Sequence, residues 1–145
     1  RGFDHFFGFV GGAHDYLDAD GGARDPIQRN GQPVPKIEYL TEELGRETAE
    51  FIERNKDRPW FTYLAFNAVH SPMQGTDKYL ARFPGITEPK RLKFAAMLSA
   101  MDDAVGVVLA KLRETGQEKI AAPDPLQPAP ATPSRSPTST SSATA

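Results

Sequence analysis

The spacing of apolar positions changes along the chain, and each spacing predicts a different element. Residues 59–66 form an almost unbroken apolar and aromatic run between Pro59 and Pro72. A run of this kind is typical of a strand that is covered on both faces of a sheet. The pattern therefore predicts a buried strand that ends before Pro72.

Helical spacing appears on both sides of this run. A first helix is predicted from Thr41 to near Asn55, with the Thr41 hydroxyl as its cap and two glutamates at its positive end. A second, longer helix is predicted over about 88–114. Its large apolar residues recur at steps of four and three, which predicts one buried stripe. The stripe consists of Phe94, Leu98, Met101, Val105, Val108 and Leu112.

Residues 1–38 are rich in glycine and aromatic residues and lack a sustained period, so irregular packed loops are expected. Within them, Asn30-Gly31 is a turn signal that predicts a hairpin between short strands. One strong strand between two helices predicts an α/β fold, because such a strand needs parallel neighbours.

Composition divides the chain into two parts. Residues 1–119 mix apolar periodicity with charge, whereas 120–145 contain little except Ala, Pro, Ser and Thr. The second part has too little apolar surface to offset its ordering entropy, so a disordered tail is expected. A frameshift would produce such an abrupt switch.

Charge and cysteine content exclude few functions. The net charge of -2 and the 25% of charged residues give no sign of a nucleic-acid partner. No apolar run is long enough to span a bilayer. Cysteine is absent, so the chain has neither a disulfide nor a thiolate site.

Asn67 and His70 stand at the carboxyl end of the predicted strand. Ligands bind outside the carboxyl ends of strands in open α/β sheets, which makes both residues candidates for binding or catalysis. A histidine after a strand is also commonly a hydrogen-bonded loop residue, and spacing alone leaves both interpretations open.

Two clusters of acidic residues elsewhere in the chain are candidates for a metal site. His5 and His14 are accompanied by aspartates, and Asp102-Asp103 is a carboxylate pair on the long helix. The spacing of the first set fits no known cage, so loop packing is the preferred interpretation. Of the pair, Asp103 is expected to face solvent and Asp102 to bond locally.

The chain resembles the sulfatases of the arylsulfatase type, in the alkaline-phosphatase-like superfamily. Residues 58–72 (RPWFTYLAFNAVHSP) look like the strand that these enzymes share. Residues 2–16 (GFDHFFGFVGGAHDY), 39–44 (YLTEEL) and 94–106 (FAAMLSAMDDAVG) resemble other segments of the family in the same order. The match runs from residue 1 to about 116 and implies an internal piece of a three-layer α/β/α sandwich.

The resemblance implies sulfate ester hydrolysis, with a formylglycine nucleophile and a Ca²⁺ held by Asp and Asn. His70 corresponds to the family's histidine that contacts the substrate sulfate, and Asn67 is a further candidate for substrate binding. The nucleophile motif and the metal ligands are expected to lie outside this chain. No metal ligand is therefore assigned, and the piece alone is expected to be inactive.

Alternatives stay open at this stage. The chain could be a noncatalytic module that binds an anion or a sulfated sugar, or part of a related phosphoryl or sulfuryl transferase. The expected partner is a small sulfate ester or a sulfated carbohydrate. Members of the family are commonly exported, which is the expectation for localisation.

Overall fold

The computed structural model describes residues 2–21 and 25–118. The tail predicted over 120–145 lies outside the described residues. The described chain contains a small sheet and three helices, in the order β1 (Phe7–Gly8), β2 (Gln28–Arg29), β3 (Gln32–Pro33), α1 (Leu40–Asn55), α2 (Asp77–Leu80) and α3 (Pro89–Glu114).

The small sheet is antiparallel, with β2 between β1 and β3. Asn30 and Gly31 join β2 to β3 with positive φ angles of 52° and 82°. These are the angles of a type I′ turn, whose twist matches that of the flanking strands. The Asn30 side chain also accepts from the Phe6 amide at 2.9 Å. The hairpin predicted at this site is confirmed.

Helix α1 covers the predicted range but begins differently. Tyr39 is the residue before its first turn, and no side chain caps it. Thr41 lies inside the first turn and is buried, so the predicted Thr41 cap is wrong. The Leu40 amide instead donates to the carbonyl of Tyr16 at 2.8 Å. A contact from the preceding loop thus satisfies a donor that helix geometry leaves unpaired.

Helix α3 has the predicted bounds, and Glu88 caps it. The Glu88 carboxylate accepts from the backbone amides of Lys90 and Arg91. These bonds hold the pKa of Glu88 below its usual value. Pro89 suits the first helical position because its missing amide would have no partner there.

The buried face of α3 differs from the predicted stripe. Phe94 and Leu98 are 44% and 43% exposed, and Val105 is also exposed. Leu112 alone among the predicted residues is fully buried. The helix instead buries Ala96, Met97, Ala100 and Ala104. Small side chains allow α3 to approach α1 closely, and this selects the alanine face for packing.

Residues 59–66 are extended but pair with no strand among the described residues. The prediction of a ladder-forming strand is therefore not met in this part of the chain, because a ladder needs a neighbouring strand. The helices and small sheet are consistent with the α/β class. The three-layer sandwich stays a prediction.

The core lies where the loop after β1 meets the helices. Three fully buried tyrosines form a row, with ring centroids of Tyr16 and Tyr39 at 5.9 Å and of Tyr39 and Tyr79 at 6.1 Å. Met97 and Leu40 pack in the same cluster. No helix in the described ranges is long and apolar enough to cross a bilayer.

Candidate functional site

The candidate residues lie in a turn that follows the extended run. The His70 amide donates to the Asn67 carbonyl at 2.9 Å, which closes the turn. His70 is exposed and Asn67 is half-buried. Both border a cavity of about 1030 Å³ that runs along residues 59–67. The structure thus brings the two predicted residues together at the end of the extended run, and their roles stay predictions.

One nitrogen of the His70 imidazole is engaged, and the other has no hydrogen-bond partner within residues 2–21 and 25–118. Its Nδ1 lies 2.6 Å from the Ser71 carbonyl oxygen. A carbonyl only accepts, so Nδ1 carries a hydrogen. The other nitrogen, Nε2, can accept when the ring is neutral and donate when it is protonated. Only the protonated ring therefore offers an Nε2–H group to an anion.

Asn67 has a structural partner. Its side-chain amide nitrogen donates to the His14 carbonyl at 2.8 Å. This bond ties the turn to the loop that precedes α1. One of the two amide hydrogens of Asn67 is therefore engaged, and the second hydrogen and the side-chain oxygen Oδ1 are left for a ligand.

Three further residues hold the turn, and the sequence analysis missed their role. The Tyr16 hydroxyl lies 2.8 Å from the Asn67 carbonyl and 2.9 Å from the His70 carbonyl. Gln74 accepts from the Tyr16 amide at 2.7 Å and donates to Asp15 at 2.9 Å. These contacts join positions more than 50 residues apart. No local spacing reveals them.

Aromatic and polar side chains both line the cavity. The extended run supplies Trp60, Phe61 and Tyr63. The helix α1 supplies Glu47 and Asn55. The Phe61 and Tyr63 side chains are 72% and 75% exposed, and the Phe61 ring lies 6.0 Å from that of Phe3. These two rings are therefore accessible to a ligand.

His5 and Glu47 form a separate group at the cavity. His5 Nε2 is 3.6 Å from Glu47, which also pairs with Arg29. The ring of His5 stacks on Phe51 at 5.8 Å. Burial lowers the pKa of His5, and the charges of Arg54 and Arg29 lower it further. His5 is therefore a neutral packing residue at physiological pH.

His14 is buried and lies apart from His5, with Nδ1 at 2.7 Å from the Asp15 carbonyl. Asp103 binds Arg82 at 2.7 Å, whereas Asp102 is exposed. The expectation for this acidic pair was thus reversed. The reason is that Arg82, after α2, reaches α3 at Asp103.

The calcium and the formylglycine implied by the resemblance do not fit the residues described. Residues 2–21 and 25–118 bring together no group of three or more His, Cys, Asp or Glu that could hold a metal ion. The chain contains no cysteine, one of the two residue types, with serine, from which the family makes its formylglycine.

Comparison with known proteins gives one family. The family model named Sulfatase matches residues 1–121. Arylsulfatase J of Mus musculus is 30% identical over 125 residues, which cover 80% of this chain and 21% of that protein. The uncharacterized sulfatase YdeN of Escherichia coli (strain K12) is 30% identical over 121 residues, with coverage of 81% and 20%.

A third relative, the arylsulfatase of Klebsiella aerogenes, is 25% identical over 176 residues and is covered to 38%. The crystal structure of Ps i-CgsB in complex with k-i-k-neocarrahexaose matches with a TM-score of 0.75 and 32% identity. That match covers 81% of this chain and 30% of that one. The chain therefore spans between 20% and 38% of the length of these relatives.

Proposed function

The chain belongs to the sulfatase family, as the resemblance predicted, and on this premise we propose that it is part of an enzyme that hydrolyses sulfate esters. The observation that supports the proposal is the exposure and the hydrogen bonding of the His70 ring. Its ring is exposed beside the cavity, and Nδ1 is held by the Ser71 carbonyl. Nε2 is the nitrogen left to meet the substrate.

The chemistry assigned to His70 follows from the reaction. In hydrolysis an incoming nucleophile forms a new bond to sulfur while the bond between sulfur and the ester oxygen breaks, so negative charge develops on the leaving oxygen. A protonated His70 donates its Nε2 hydrogen to that oxygen or to a sulfate oxygen. The neutral ring that remains still has a hydrogen on Nδ1. Its bond to Ser71 therefore persists through the transfer, and the ring does not need to turn.

The substrate class is proposed from the relatives. Two of them are named arylsulfatases, which supports an aryl sulfate. The complex of Ps i-CgsB with neocarrahexaose supports a carbohydrate ester as the other class. The aromatic wall formed by Trp60, Phe61 and Tyr63 can stack on either kind of ring.

The proposal is tested by following the three histidine rings by NMR while para-nitrophenyl sulfate is added. We expect the His70 ring signals to move and to saturate. His14 serves as the internal control, because it is buried and does not line the cavity. The chain alone is expected to release no nitrophenolate.

Neutral para-nitrophenol is the matched control ligand. An equal response of His70 to nitrophenol would show that the ring senses only the aromatic group, and this would contradict the proposal. Inorganic phosphate that displaces the aryl sulfate more strongly than inorganic sulfate does would favour a phosphoryl-transfer enzyme instead. The His70→Gln variant should lose the saturable response of the remaining site signals.

A further inference from the structure

The turn that carries His70 is held from inside the protein by one hydroxyl group. Tyr16 is fully buried, and its ring packs against Tyr39 in the core. A ring fixed in this way places its hydroxyl at a fixed point. That point lies between the carbonyls of Asn67 and His70, which are the first and last residues of the turn.

The hydroxyl has one hydrogen, which these two carbonyl oxygens share. Burial and, to a lesser extent, the nearby Tyr39 together raise the pKa of Tyr16 to about 12, against the opposing effect of the bond to the His70 backbone. The hydroxyl therefore keeps its hydrogen at neutral pH and remains a donor.

Residues that precede α1 also bind the chain on the carboxyl side of His70. Gln74 binds both the Tyr16 amide and the Asp15 side chain. The Tyr39 hydroxyl donates to the Gln74 carbonyl at 2.9 Å. The backbone is thus fixed before and after His70 by residues that lie more than 30 positions away.

We infer that Tyr16 is a positioning residue for His70, because its hydroxyl orients the turn from which the imidazole presents Nε2 to a sulfate ester. The inference rests on the proposed function for the identity of the ligand. The physical link is the backbone: the His70 carbonyl is bonded to Tyr16, and the next carbonyl, that of Ser71, holds Nδ1. Without the hydroxyl, the His70 carbonyl loses its partner, and the turn can rotate.

The test variant is Tyr16→Phe, which keeps the ring and removes the hydroxyl. The matched control is Tyr79→Phe, since Tyr79 is equally buried and its hydroxyl donates to Glu42 at 2.6 Å, away from the turn. Two quantities are measured by NMR. They are the hydrogen occupancy of Nδ1 in neutral His70 and the Kd for para-nitrophenyl sulfate.

In Tyr16→Phe we expect Nδ1 to lose its preference for the hydrogen and the Kd to rise about 10- to 100-fold, the range expected for loss of a hydrogen bond to a charged group. Tyr79→Phe should change neither quantity, even where it lowers stability. An unchanged Nδ1 occupancy in folded Tyr16→Phe overturns the inference. If the wild-type ring does not respond to the aryl sulfate, the proposed function fails, and the Nδ1 occupancy still decides the role of Tyr16.

Loss of helical circular dichroism in Tyr16→Phe would move the decision to the wild-type protein. The Tyr16 hydroxyl hydrogen should then give a slowly exchanging signal that moves as para-nitrophenyl sulfate saturates His70. A hydroxyl hydrogen that exchanges as fast as that of free tyrosine overturns the inference.

Discussion

The two halves of residues 59–74 differ in what holds them. In the first half, Phe61 and Tyr63 are 72% and 75% exposed, and residues 59–66 have no backbone partner among the described residues. In the second half, Tyr16 and His14 bind Asn67 and His70, and Gln74 binds Tyr16. The comparison shows that the candidate site is ordered by loop contacts and does not depend on a sheet ladder within the described chain.

Helices α1 and α3 likewise have one tightly packed contact and one exposed face. Gly45 of α1 meets Ala104 of α3 so closely that an added Cβ would lie 2.9 Å from the Ala104 side chain. The same α3 leaves Phe94 and Leu98 largely exposed. Residues 59–74 and the helix pair thus each have a packed part and an exposed part. Substitutions in the two parts should have very different effects on stability.

The largest effect is expected for Tyr16→Ala. This change removes a fully buried ring and should lower the free energy of unfolding by about 3–5 kcal/mol. The same change at exposed Tyr63 should cost no more than about 0.5 kcal/mol. Urea denaturation followed by circular dichroism measures both. Equal losses would contradict the division between the two halves.

Gly45→Ala tests the packed side of the helix pair. The added methyl group has backbone atoms of Ala104 at 3.0 Å and 3.1 Å, so it should destabilise the protein by about 1–3 kcal/mol. The control is Gly106→Ala on α3, where an added Cβ meets nothing within 4 Å. That change should stabilise the helix by about 0.5–1 kcal/mol. Thermal unfolding of the two variants should therefore shift in opposite directions.

Gln74→Met keeps the volume of the side chain but removes its bonds to Tyr16 and Asp15. We expect a loss of about 1–3 kcal/mol, because the buried Tyr16 amide and the half-buried Asp15 carboxylate lose their hydrogen bonds. Gln32→Met is the control, since Gln32 is exposed. Amide hydrogen exchange should accelerate around His70 in the first variant only. Faster exchange in both variants would show that Gln74 does not hold the turn.

The smallest effect is expected from the protonation of Glu42 at low pH, at the contact between α1 and α2. Burial raises the pKa of Glu42, but hydrogen bonds from Lys78 and Tyr79 outweigh it and hold the pKa below 4.5. A depressed pKa in the folded state means that this stabilisation is present above pH 4.5 and is lost as the pH falls through the folded value.

Lys78→Met is the variant that tests this contact. It should lower stability slightly at neutral pH and should reduce the further loss on acidification below pH 4.5. Unfolding free energies at both pH values give the comparison. An identical acid response in the variant and the wild type would show that Lys78 does not set the pKa of Glu42.

Local signals predicted part of the fold correctly. The bounds of α3 follow from Glu88, Pro89 and the helical period, and the hairpin follows from Asn30 and Gly31, which tolerate positive φ. The cap of α1 was wrong because the Tyr16 carbonyl, distant in sequence, replaced the Thr41 hydroxyl as the partner of the first turn.

The sequence by itself determined the family, the helices and the location of His70 at the end of an extended run, because these depend on neighbouring residues or on motifs. Only the tertiary structure decided which face of α3 is buried and which groups hold the turn. Helix packing depends on the closest approach of two surfaces, and Gly45 with Ala104 allows that approach. The Tyr16 and Gln74 contacts join loops that no periodicity relates.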